Sequence, residues 1–424
     1  MNNLSDINDN PIESVGFQVD GKILNELSKQ VSSHLFALGE LIKNSYDAKA
    51  TKVDITFDLY NKKLTIDDNG EGISRSNIDS LLHIAKSGKE YGRKFSFNIK
   101  KDNKDLTITR YTQGSKGLGL FCAFKFGNIV YWDTKYDGGS YSITINREQV
   151  TDLEDITQAR FVLKDGSRSS NGTTIIIDLD PNNDEITYIY EYFKKEKNSA
   201  RLVNFFFDEN IIINLNLISE NKSTEGNLSS STIKRELLYK EQEENRVFNI
   251  IYSSENNIIY YYDKHNKKHE ISFNPGITTK DYQIKFRINS FSLRSGGVKK
   301  FNNIFHNSKN ELTPLVYING VLFSNDLIFD PSVNRKMGNS VSMPQLTGFI
   351  EITCINEGLQ FNNERTDLIA NSFNNRLRID IEQLNKYVQE QGKKLERQIE
   401  NNKNSSKDES PTKDESPTKD ESPT

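Results

Sequence analysis

The chain has 424 residues, carries a formal net charge of -4, and is 35% hydrophobic and 27% charged. That length favours two or three domains over one, and without a basic excess the composition gives no support for nucleic-acid binding, although a local basic face stays open. Its two cysteines, Cys122 and Cys354, lie far apart without ligand-like spacing, so neither a disulfide framework nor a zinc site is expected and a reducing, cytoplasmic setting fits. The opening "MNNLSDINDNPIESVG" lacks the basic start and apolar core of a signal peptide. No run approaches the ~18 apolar residues of a membrane span, so a soluble protein with no membrane partner is expected.

In chain order, Leu24, Leu27, Val31, Leu35, Leu38 and Ile42 recur every three or four residues and predict one continuous helical face. "VDITFDL" alternates as a strand, "YNKK" turns, and "LTIDDNGEGI" reads as a second strand ending in a glycine-rich turn. "SNIDSLLHIA" returns to helix, with Ser76 as its cap. Residues 86–116 are polar, glycine-dotted and weakly periodic, and read as a long mobile loop. "GLGLFCAFKFG" predicts a helix, and "NIVYWDTKY", "GSYSITIN" and "TTIIIDL" predict strands. A helix from about Asp184 to Phe207 and the strand "IIINLNL" close the first unit near Ile218.

"SENKSTEGNLSSST" has linker composition. Beyond it, "RVFNIIYS", "NIIYYYD", "YQIKFRIN", "PLVYINGVLF" and "LTGFIEITCI" read as strands, followed by a long helical stretch after Asp367. Leu377, Ile379, Ile381, Leu384 and Val388 give that helix an apolar stripe in its first half, while its second half is mostly charged and reads as solvated. The tail repeats "KDESPT" three times and holds no apolar residue, so it is expected to be disordered; a partner-binding role for it stays open.

Within "FALGELIKNSYDA", positions 37, 40, 44 and 47 share one helix face, which places Glu40, Asn44 and Asp47 in a polar stripe. A solvated face would explain the stripe alone. Its bordering Leu38, Leu41 and Ile42, however, put it at the core margin, where polar groups need partners, and a hydrated metal with a nucleotide would supply them. "DDNGEGI" sets Asp68 at a strand end, followed by Gly70 and Gly72; this is either a common Asp-Asn-Gly turn or a carboxylate placed for an exocyclic amine beside a close-packed backbone. "QGSKGLGL" opens a helix with Gly114, Gly117 and Gly119 around Lys116, a pattern suited to phosphate oxygens but without P-loop spacing. "NGTTIII" puts Thr173 at the start of a later strand.

The order of these four elements, E-x3-N-x2-D on a helix, D-x-G-x-G after a strand, G-x-x-G-L-G-L opening a helix and a strand-leading threonine, resembles the GHKL superfamily of ATPases over about residues 20–218. That superfamily includes gyrase B subunits, heat-shock chaperones, histidine kinases, MutL and MORC proteins. The resemblance implies an α+β fold: a two-layer α/β sandwich of the Bergerat ATP-binding type over residues 1–220. A linker at 221–232, a smaller α/β transducer-like domain at 233–385, a polar C-terminal helix at 386–404 and a disordered tail at 405–424 complete the expected organisation.

The resemblance further implies roles, residue by residue. Glu40 activates water, Asn44 ligates Mg²⁺, and Asp47 helps shape the pocket. Asp68 reads adenine, with Gly70 and Gly72 shaping its turn and Thr173 sharing its water. Lys116, Gly117, Leu118 and Gly119 form the phosphate-binding end of an ATP lid spanning about 86–116, from which Ser87 and Lys89 reach the closed site. Arg365, in "NNERTD", sits where transducer domains present a basic residue to the γ-phosphate; Arg335 and Lys336 are rivals, and a surface arginine paired with Glu364 or Asp367 is the plainer alternative. The only cofactors implied are ATP and Mg²⁺.

A histidine kinase would carry a phosphoacceptor helix pair ahead of the ATPase region, and about twenty residues leave no room for one; His34 lies within the first helix and reads as a surface or packing residue. A topoisomerase cleavage module is not evident, nor is a nuclease metal cluster after residue 300, and a dedicated heat-shock chaperone, which would need a long client-binding region beyond the transducer, is not expected. Two classes remain: an ATP-gated homodimeric clamp that hydrolyses ATP in a DNA-related or bacterial antiviral defence system, and a nucleotide-gated scaffold that recruits a protein partner with negligible hydrolysis. The acidic balance favours a protein partner over DNA alone.

Overall fold

Val53, Ile55 and Phe57 are fully buried while Asp54 and Thr56 between them are half-exposed. Such alternation marks a sheet with one covered face. The computed structural model describes residues 19–29, 31, 33–82, 90–114, 119–180, 184–222, 228–235, 243–274, 276–293, 295–323, 328–334, 343, 345–354, 358–362 and 366–405. The chain divides into two compact units, Met1–Glu236 and Leu237–Thr424.

The first unit opens with helices α1 (Ile23–Lys29) and α2 (His34–Asp47). Strands β1 (Lys52–Asp58) and β2 (Lys63–Asp68) follow, then a 3-10 helix, Arg75–Leu82, and a hairpin of β3 (Lys94–Lys101) and β4 (Lys104–Tyr111). Next come α3 (Gly119–Ala123), β5 (Ile129–Tyr136), β6 (Gly139–Asn146), α4 (Arg147–Thr151), β7 (Leu163–Asp165) and β8 (Gly172–Asp178). Helices α5 (Asp184–Lys194) and α6 (Glu196–Val203) lead to β9 (Ile212–Lys222) and β10 (Leu228–Ile233). Eight strands form one sheet in the order β10-β9-β1-β2-β8-β5-β6-β7, in which only β1 and β9 run parallel. Helix α2 packs on α3 beside this sheet, and its Tyr46 ring stacks on Phe206 with centroids 4.1 Å apart. Mixed α/β architecture with a covered sheet face is what the sequence implied.

Four details differ from the sequence reading. The continuous helical face divides at Ser33, whose Oγ accepts a hydrogen bond from Phe36 N at 3.1 Å and so caps α2 as a separate helix. Its inward face is then set by Phe36, Ala37, Leu38, Leu41, Ile42 and Tyr46, which leaves Leu35 41% exposed. Part of the stretch read as a loop is the β3–β4 hairpin, and "SNIDSLL" is 3-10 rather than α-helical. The linker expected at 221–232 also contributes β10, an edge strand paired antiparallel to β9. His34 is buried and meets the Phe126 ring edge-on, a packing role.

The second unit is a seven-stranded sheet under one long helix. Its strands are β11 (Arg246–Ser253), β12 (Ile258–Asp263), β13 (Lys268–Ser272), β14 (Tyr282–Phe291), β15 (Leu315–Ile318), β16 (Val321–Leu322) and β17 (Leu346–Cys354), in the order β13-β12-β11-β14-β17-β15-β16. A single turn, α7 (Ser295–Val298), precedes β15. Helix α8 (Ser372–Ser405) runs unbroken through the boundary expected at 385/386. Leu377, Ile381, Leu384 and Val388 are buried, whereas Ile379 is 54% exposed. Tyr261 donates to the Val388 carbonyl at 2.8 Å, tying α8 to β12. Both cysteines are free and buried. Among the described residues, no helix is long and apolar enough to cross a membrane.

Candidate nucleotide-binding site

Strand β2 ends on Asp68, which is 6% exposed and reached by three donors. Ser45 of α2 donates to Oδ2 at 2.8 Å; the Gly70 and Thr173 amides donate to Oδ1 at 2.9 and 3.2 Å. Burial pushes the Asp68 carboxyl above the ordinary carboxylate range, against the pull of the Gly70, Ser45 and Thr173 hydrogen bonds and the Arg168 charge. An ionised carboxylate offers about four acceptor directions, so one remains for an amine.

The glycines after Asp68 are demanded by the protein's own packing. A Cβ on Gly70 would lie 2.6 Å from the Ala48 carbonyl oxygen, at the end of α2. At Gly72, φ is +78° and a Cβ would lie 2.0 Å from the Lys135 carbonyl oxygen of β5. The D-x-G-x-G turn is therefore pressed between α2 and β5.

Thr173 lies on β8, its Oγ1 3.1 Å from that of Thr134 on β5, and Thr134 Oγ1 accepts from Ile73 N at 2.9 Å. Behind Asp68, Arg168 donates to the Asp68 carbonyl at 2.8 Å and also bonds Asp67 and the Thr174 hydroxyl. The loop carrying Arg168 is held by buried Asp133, which accepts from Ser167 N at 3.0 Å and from the Ser167 hydroxyl. Sequence reading missed Ser45, Thr134 and Arg168. Ser45 follows Asn44 in sequence but lies on the buried side of α2, so the polar stripe itself does not mark it.

On α2, Glu40 and Asp47 are half-exposed and Asn44 is exposed. Asp47 binds backbone: Oδ1 accepts from Gln113 N at 2.8 Å and Oδ2 from Gly114 N at 2.9 Å. It thereby fixes the exit of β4, just ahead of the glycine-rich stretch. Two turns earlier on the helix, Glu40 pairs with Lys43. The hairpin root is anchored by Arg110, 1% exposed, which bonds Asp208 at 2.7 Å and the carbonyls of Tyr46 and Ala50 at 3.1 and 2.8 Å. Its guanidinium lies between the Tyr46 and Phe97 rings, 4.4 and 5.0 Å from their centroids.

No group of three His, Cys, Asp or Glu that would hold a metal by itself occurs among the described residues. Mg²⁺ keeps several waters and binds through few protein ligands plus phosphates, so a single exposed Asn44 carboxamide fits that demand. Gly119 opens α3. Ser87, Lys89, Lys116, Gly117, Leu118, Arg335, Lys336 and Arg365 lie outside the described residues.

A family model described as histidine kinase-, DNA gyrase B-, and HSP90-like ATPase matches residues 31–173, the stretch from the start of α2 to Thr173. Over these residues the chain is similar to the GHKL group of ATPase domains. Chaperone protein HtpG of Coxiella burnetii is 28% identical over 195 residues, covering 41% of this chain and 29% of the chaperone. Chaperone protein HtpG of Vibrio vulnificus is 30% identical over 191 residues, covering 39% and 28%. The DNA mismatch repair protein MLH3 of Saccharomyces cerevisiae is 25% identical over 171 residues, covering 38% and 22%. The chain thus spans less than a third of the length of these relatives. Helix α2, the Asp68 turn and Thr173 all fall inside the GHKL match; the second unit falls outside it.

Proposed function

We propose that the chain is a Mg·ATP hydrolase in which Asp68 reads the adenine amine and Glu40 activates the attacking water. The observation that carries this reading is the buried Asp68 carboxylate, with three of its acceptor directions filled, joined through Ser45 to the helix that bears Glu40, Asn44 and Asp47. A buried carboxylate so furnished is costly unless a further donor uses it, and an exocyclic amine is such a donor.

Asn44 would hold Mg²⁺ through its carboxamide oxygen. The metal, arriving with the nucleotide, supplies charge neutralisation on the phosphate oxygens. Glu40 accepts a proton from water as the water oxygen bonds to the γ-phosphorus. The bond to the β–γ bridging oxygen breaks, and ADP leaves with its electron pair. Asp47 keeps the exit of β4 in place. Lys116, Gly117, Leu118 and Gly119 then form the phosphate-facing end of the lid, with Ser87 and Lys89 entering as it closes.

At the level of the whole chain, we read the cycle as ATP-gated homodimerisation in the cytoplasm, acting with a protein partner in DNA-related or antiviral defence work. The test is phosphate release from Mg·ATP together with solution mass in a non-hydrolysable ATP analogue. Turnover with a doubling of mass in the analogue supports the clamp. Binding without turnover would replace it with a nucleotide-gated scaffold, and no nucleotide binding would end both readings.

A further inference from the structure

Lys43 follows Glu40 by three residues on α2, and its side chain is 2% exposed against 13% for Glu40. Its Nζ pairs with Glu40 Oε1 and lies 5.7 Å from the centre of the Phe36 ring. Glu40 Oε2 takes part in no hydrogen bond or ion pair among the described residues. The two carboxylate oxygens are therefore unlike: one is engaged from the core side, the other is uncommitted.

Burial of a lysine to this degree is rare unless a counter-charge compensates it. The sequence spends such a residue between buried Ile42 and exposed Asn44, beside the carboxylate that our reading makes the general base. A glutamate has three rotatable bonds and so several rotamers to choose among, and a misplaced base loses rate steeply.

We propose that Lys43 is a positioning residue for Glu40. It holds Oε1 from the buried side, so that Oε2 is the oxygen presented to the attacking water. This inference rests on Glu40 acting as the base. Its second consequence concerns folding. Glu40 supplies counter-charge to a buried cation, so replacing it alone lowers that compensation, and replacing both residues removes the need for it.

The experiment uses the full chain with Mg·ATP and four variants: Lys43→Met, Lys43→Arg, Glu40→Gln and the double variant Lys43→Met/Glu40→Gln. Lys43→Met should lower kcat by about tenfold or more while leaving KM within about twofold, because orientation of the base is felt in the chemical step. Lys43→Arg, which keeps the charge, should recover much of that loss. Glu40→Gln should melt lower than the parent, because a buried cation has lost counter-charge, and the double variant should recover part of the fall.

Unchanged kcat in Lys43→Met beside an inactive Glu40→Gln would overturn the inference and leave the base assignment standing. Full turnover in Glu40→Gln would remove the base assignment, and this inference with it. If Lys43→Met does not fold, the melting comparison decides: recovery in the double variant supports the pair, and strictly additive losses overturn it.

Discussion

The two ends of the candidate site are built differently. At the base end, Asp68 is buried and held by Ser45, Gly70 and Thr173, with Arg168 and Thr134 bracing the turn from behind. At the phosphate end, Asn44 is exposed and Glu40 is engaged through one oxygen only. Under our reading, the base pocket is thus shaped in advance by the protein's own hydrogen bonds, whereas the phosphate end is completed by the nucleotide. Pre-organisation belongs where selectivity is set, since ordering then costs little on binding.

The hairpin root is the exception on the phosphate side, and breaking it has the largest expected effect. Arg110→Ala would leave buried Asp208 without its cation, with two carbonyls losing their donor, for a loss of about 3–5 kcal/mol in a urea denaturation series. A loss under about 1 kcal/mol would mean that the root is not the buried anchor described.

At the base end, Asp68→Asn should weaken ATP binding by roughly 30- to 150-fold, about 2–3 kcal/mol, without unfolding the chain. An amide cannot accept from three donors and an incoming amine as a carboxylate does. Calorimetric titration checks this, and unchanged affinity would sink the adenine assignment. Ser45→Ala removes one of Asp68's three donors and should cost only about 1 kcal/mol of affinity, roughly fivefold. A larger effect would show that Ser45 carries the pocket rather than supports it.

The smallest effect is graded with pH. Asp68 must be ionised to accept the amine, and burial raises its pKa. ATP affinity should therefore rise with pH through that raised pKa and level off above it. On acidification it should begin to fall at a higher pH than an exposed aspartate would give. Stability has the opposite sign: between the unfolded and raised folded pKa the native state binds more protons, so this group's contribution declines as pH increases through that window. A flat affinity profile in Asp68→Asn beside a sloping one in the parent would assign the effect.

Much of the candidate site can be proposed from the sequence because its signal is local. Glu40, Asn44 and Asp47 share a helix face within eight positions, and the Asp68 turn announces itself through Gly70 and Gly72. What was missed depends on partners far along the chain. Arg168 braces Asp68 from 100 residues away, and Arg110 reaches Asp208 from 98. No period or spacing marks such pairs. The β3–β4 hairpin is a different failure, since Phe95, Phe97 and Ile99 do alternate opposite Arg110, Ile108 and Leu106, but lysines and a polar tip masked so short a run. Leu35 failed because the capping of α2 by Ser33 resets the helix phase, which a running count of apolar residues cannot register.

The most direct test of the central claim compares phosphate release and nucleotide affinity in the parent chain and Glu40→Gln, both at saturating Mg·ATP. The account predicts turnover in the parent, a loss of about 100-fold or more in Glu40→Gln, and affinity nearly the same in the two. Equal turnover in both proteins would contradict it, because the water would then be activated by some group other than Glu40.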